Sequence, residues 1–104
     1  DLDEAIKYFN KAIELDPAMP GPYENVGYIY YNMGNFDEAI KYQKRYVELL
    51  PRPQGYFCLG ASYANIGDFE SALISVAKLR SLDRNDLADQ LNRNIADRKK
   101  ARAK

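Results

Sequence analysis

The run Asp3-Glu4-Ala5-Ile6-Lys7-Tyr8 returns letter for letter as Asp37-Glu38-Ala39-Ile40-Lys41-Tyr42, thirty-four residues later. Pro17 and Pro51 keep the same shift. A further copy follows at a shift of 33, in which Gly27, Tyr30, Gly34, Phe36 and Ala39 match Gly60, Tyr63, Gly67, Phe69 and Ala72. A period of this length allows one small supersecondary unit per copy, which buries its apolar face only by stacking on its neighbours.

Each unit reads as two helices. In residues 22–33, Tyr23, Val26, Tyr30 and Met33 form a stripe at helical spacing. Pro22 suits a first turn, where its missing N–H costs nothing. Gly34-Asn35 supplies a turn whose glycine can take positive φ. Residues 36–49 make the second helix: Asp37 and Glu38 sit in its first turn, favourable to the dipole, and Phe36, Ala39, Ile40 and Val47 form its apolar face. Pro51 and Pro53 are expected to stop it. The same grammar predicts helices at 55–66 and 69–82. Residues 2–15 form a lone second helix closed by Asp16-Pro17. From Asp86 to Lys104, a narrow stripe of Leu87, Leu91 and Ile95 on a polar helix suits a terminal cap. The expected count is five helices: one unpaired, two antiparallel pairs and one cap.

These residues resemble the tetratricopeptide repeat (TPR). Tyr23, Val26, Gly27, Tyr30, Ala39 and Pro51 stand where that family places its aromatic, Leu-Gly, Tyr, Ala and Pro markers. Tyr56, Leu59, Gly60, Tyr63, Phe69 and Ala72 repeat them, and Ala5, Phe9, Ala12 and Pro17 give a partial first copy. The resemblance implies an all-α fold, an α-solenoid of antiparallel helix pairs in one domain over 1–104. Its parts are a partial repeat at 1–19, full repeats at 20–52 and 53–85, and a capping helix at 86–104. Gln43 replaces a usual aromatic and Tyr46 a usual small residue, a swap that can conserve volume. Arg84 replaces the closing Pro, which predicts a looser turn there.

The resemblance further implies that the first helix of each pair lines a concave face that binds a peptide or partner protein, in a scaffold rather than an enzyme. Residues 22–33 and 55–66 carry no Lys or Arg and a single acid, Glu24. Contact on such a face rests on aromatic and apolar surface, with little dependence on salt. The family pattern places Glu24, Tyr28, Tyr31, Asn32, Phe57, Ala61 and Asn65 on it. An alternative is that Tyr28, Tyr31 and Phe57 pack against neighbouring helices. One subgroup of the family clamps the carboxylate ends of heat-shock chaperones with Lys, Arg and Asn; here only Asn25 matches that set.

Lys plus Arg equals Asp plus Glu at fifteen each, so overall charge argues against nucleic acid as partner. The single cysteine, Cys58, leaves no internal disulfide or cysteine-built zinc site; with no His to activate it, it reads as a small buried hydrophobe. No catalytic, metal or cofactor site is expected. The basic end (Arg93, Arg98, Lys99, Lys100, Arg102, Lys104) reads as a solvated helix terminus, with contact to an acidic partner, RNA or a membrane surface as the alternative. No stretch reaches the ~18 apolar residues of a membrane span, and a cytoplasmic location is expected. Because the chain opens on Asp1 with half a unit, it is expected to be excised from a longer repeat protein. Leu2, Ile6 and Ile13 would then lack their partner helix, so residues 2–15 offer a surface for homo-oligomer formation.

Overall fold

A computed structural model describes residues 1–103, and all regular structure among them is helical. The helices are α1 (Leu2–Leu15), α2 (Pro20–Asn32), α3 (Phe36–Leu49), α4 (Pro53–Ile66), α5 (Phe69–Ser81) and α6 (Asn85–Arg102). One unpaired helix, two pairs and a cap amount to six, so the expected count of five was one short. Lys104 lies outside the described residues.

First and second helices begin by different means. α2 and α4 start on Pro20 and Pro53 with no side-chain cap. Proline is at no disadvantage there, since the first turn's N–H groups have no intrahelical partner. Pro53 was expected to stop α3; it opens α4 instead, and both first helices start two residues earlier than their apolar stripes suggest. The second helices begin on polar caps. Asn35 Oδ1 accepts from the Glu38 N–H at 3.4 Å, and Asp68 Oδ1 from the Ser71 N–H at 3.2 Å. Asp1 Oδ1 does the same for the Asp3 N–H at 2.9 Å. Such caps stabilise a helix by about 1 kcal/mol each.

Within each pair the chain reverses through a left-handed glycine, Gly34 at φ 79° and Gly67 at φ 84°. The reversal closes with hydrogen bonds from the Asn35 N–H to the Tyr30 carbonyl and from the Asp68 N–H to the Tyr63 carbonyl, both 2.9 Å. α5 ends in the same geometry, but with Asp83 as the left-handed residue (φ 58°). The Arg84 N–H reaches the Leu79 carbonyl at 2.9 Å. The turn that Arg84 enters without a proline is therefore closed by its own backbone.

The chain forms two units, parting at the Pro51-Arg52 bond where one repeat gives way to the next. In the first, α2 packs on α3 and α1 packs on α2. Val26 and Ala39 are fully buried, with Tyr23, Ile40, Gln43, Tyr46 and Val47 around them. A Cβ on Gly27 would stand 3.0 Å from Gln43 Cγ, so Gln43 packs directly on the first helix. Tyr30 stacks on Tyr42 at 5.9 Å and Tyr23 lies 6.5 Å from the same ring. The Tyr23 hydroxyl donates to the Pro17 carbonyl at 2.8 Å, and that of Tyr42 to Asn10 Oδ1 at 3.0 Å. Met33, expected in the packing stripe, is exposed because it lies past the end of α2.

α1 departs from expectation in one respect. Ile6 is buried and Ile13 half-buried, so the face thought to lack a partner is the one α1 turns inward. Leu2, the third residue of that face, stays exposed, and Tyr8 and Leu15 are exposed as well, Leu15 by 79%.

In the second unit, α4 packs on α5, and α6 packs on both. Ala72, Leu79, Ala88 and Leu91 are fully buried. A Cβ on Gly60 would fall 2.5 Å from Leu91 Cδ2 and 2.8 Å from Ser75 Cβ. Gly60→Ala should therefore destabilise the chain by about 1–3 kcal/mol through overpacking. Gly21→Ala, whose Cβ meets nothing within 4 Å, should change stability by less than about 1 kcal/mol, because its gain in helix propensity is opposed by Pro22, which disfavours helical backbone at a preceding residue bearing a Cβ. Denaturant unfolding of the two variants checks the contrast.

Candidate functional site

The candidate face is built from first helices, and the two units present it differently. On α2, Glu24, Tyr28, Tyr31 and Asn32 fall within one arc, since positions four apart are neighbours and each residue turns 100°. The opposite arc, with Tyr23, Val26 and Gly27, is spent on packing. Glu24 and Asn32 are exposed, and Tyr28 is 59% exposed, large for an aromatic ring. Tyr31 is half-buried, its ring edge-on to Phe36 at 5.3 Å. This contact holds Tyr31 in place while leaving part of it open. Asn25 flanks the arc, its amide donating to the Gly21 carbonyl at 3.0 Å.

On α4 the same positions are differently filled. Phe57 and Asn65 are half-buried, but Ala61 between them is only 6% exposed and Ala64 is fully buried. Ala61 offers almost no surface to a ligand. The Asn65 amide donates to the Ala61 carbonyl at 2.8 Å, so this side chain already has a partner. Cys58 is exposed, not buried: it lies on the side of α4 away from Leu59 and Gly60, next to Gln54.

The basic end of α6 is docked rather than freely solvated. Lys99 Nζ lies 5.6 Å from the centroid of the Phe69 ring. Arg102 Nη2 donates to the Asn65 carbonyl at 3.3 Å, and its guanidinium fills the space over Gly67 that a Cβ would need. A cation there also meets the negative end of the α4 dipole. The sequence signal was the basic last turn; what it lacked was the identity of the surface opposite. Among the described residues no group of His, Cys, Asp or Glu is arranged to hold a metal, and no helix is long and apolar enough to cross a membrane.

Paired antiparallel helices in tandem, with small residues at each crossing and a left-handed turn inside each pair, define a helical-repeat protein. The chain belongs to the tetratricopeptide repeat family, whose repeats mediate protein–protein interaction. The "TPR repeat" model matches residues 1–34 and the "Tetratricopeptide repeat" model residues 21–52. The chain is 33% identical over 103 residues to the Hsp70-Hsp90 organizing protein of Triticum aestivum, covering 98% of this chain and 17% of that protein. It is 32% identical over 80 residues to human serine/threonine-protein phosphatase 5, covering 70% of this chain and 15% of that one. Heat shock protein STI1 of Saccharomyces cerevisiae is 31% identical over 100 residues, covering 89% and 17%. The chain thus spans about a sixth of the length of these relatives.

The docking of α6 makes a direct prediction. Arg102→Ala with Lys99→Ala should speed amide exchange over the last two turns of α6 by about tenfold or less, since exposed cation contacts stabilise by about 1 kcal/mol or less. Exchange at Leu79 and Leu91 should not change. Equal rates in wild type and double variant would show that the two contacts do not hold the helix end.

Proposed function

We propose that this chain holds a peptide segment of a partner protein on its first-helix surface, with the outer arc of α2 as the principal contact. The observation that carries the reading is Tyr28. A ring left 59% exposed, beside the braced ring of Tyr31 and with no Lys or Arg on the helix, is a ready apolar platform. Tyrosine suits this use because it offers large area and a polar tip, with few rotors to freeze on binding.

Two relatives carry chaperone names, yet the carboxylate-clamp chemistry of that subgroup is not what we propose here. Neither α2 nor α4 bears a cation, and Asn25 is engaged with its own helix. The phosphatase relative lends no activity either, since the match covers 15% of that protein.

The test is peptide affinity, by calorimetry, for Tyr28→Ala, Tyr31→Ala and Phe57→Ala. Loss of an anchor ring should weaken binding by roughly 1–3 kcal/mol. Affinity for a neutral peptide should change little between low and moderate salt. Tyr28→Ala should leave the melting temperature unaltered, because its ring is mostly in solvent. Wild-type affinity in all three variants would overturn the reading.

A second reading, self-association, is favoured by the exposure of Leu2, Tyr8 and Leu15 on α1. The corresponding residues of α3 are half-buried in each case (Phe36, Tyr42, Leu49). Light scattering of the chain should then show a dimer, and Tyr8→Lys with Leu15→Lys should return it to a monomer. A monomeric wild type would dispose of it.

A further inference from the structure

Resting on the reading that the outer arc of α2 holds a partner peptide, we infer that the segment it takes is cationic, a Lys or Arg flanked by apolar residues. Glu24 and Tyr28 are four residues apart, one above the other on the same exposed arc. A carboxylate and an electron-rich ring face one turn apart are the two groups that attract an ammonium or guanidinium. Among the described residues Glu24 pairs with no cation, so its charge is available.

The surroundings point the same way. Residues 1–51 carry nine Asp or Glu against five Lys or Arg, whereas residues 52–104 carry six against ten. Two of the five bases are already paired, Lys41 with Glu38 at 2.8 Å and Lys11 with Glu14 at 3.7 Å. The field of the first unit therefore favours the approach of positive charge and opposes an acidic tail. A neutral apolar segment laid over Tyr28 and Tyr31 would strip water from Glu24 with no countercharge, which is costly. A cation beside the apolar contact removes that cost. The preference is thus a salt-dependent increment added to a salt-independent aromatic contact.

A library of random twelve-residue peptides displayed on phage, panned against the full chain, tests this. Recovered peptides should be enriched in Lys and Arg. A recovered peptide whose Lys and Arg are replaced by Gln should bind about three- to tenfold more weakly at 50 mM salt. That gap should close at 500 mM salt, where screening is strong, and should vanish in Glu24→Gln. Both Glu24→Gln and Tyr28→Ala change exposed side chains and should melt as wild type. Neutral or acidic peptides that are nonetheless lost on Tyr28→Ala would overturn the cationic inference and leave the α2 contact standing. Peptides that bind both variants as well as wild type, or no recovered peptide at all, would overturn the α2 reading and this inference with it.

Discussion

The close approach of first and second helices is the constraint on which the rest of each unit depends. At Gly60 there is no room for even a methyl group between α4 and the side chains of Ser75 and Leu91. Ala39 and Ala72, at equivalent positions of the second helices, are both fully buried. Small residues at these crossings let the two backbones come near enough for larger side chains on either flank to interlock. Only then can Val26, Leu79 and Leu91 lose all contact with water. The left-handed turns at Gly34 and Gly67 serve the same end, since a tight reversal keeps the helices in register at their crossing.

What could be read from the sequence follows from this. The repeat period, the Gly turns, the acidic first turns and the packing alanines are local requirements of the hairpin, so they recur with it. What could not be read depends on what covers a given face. Ile6 and Ile13 looked unpartnered, yet α1 packs on α2 with Ile6 buried and Ile13 half-buried, and Tyr8 and Leu15 are left outside. Cys58 has the composition of a core residue but falls on the wrong side of α4. Arg102 and Lys99 read as solvated charges because nothing local told that Asn65 and Phe69 would lie opposite. Proline was ambiguous for a simple reason: the residue that ends one helix also suits the start of the next.

Of the candidate face itself, the sequence gives the arc but not its degree of exposure. Tyr28 and Ala61 occupy the same position in successive repeats, one open and one buried. The repeats share a packing side because stacking demands it, while their outer arcs are free to diverge. A large aromatic on one arc and a small alanine on the next make two distinct surfaces from one repeat pattern.

The tyrosine cluster of the first unit has a further consequence. The chain has no tryptophan, and seven of its nine tyrosines lie within residues 1–51, two of them, Tyr23 and Tyr30, packed against Tyr42. Its near-ultraviolet circular dichroism is therefore dominated by one half of the molecule, whereas the far-ultraviolet signal weighs both halves alike. In a repeat protein, where stability is a sum over neighbouring units, the halves need not melt together. The uneven placement of a single residue type thus gives the chain a built-in reporter, by which loss of the first unit can be timed against loss of helix as a whole.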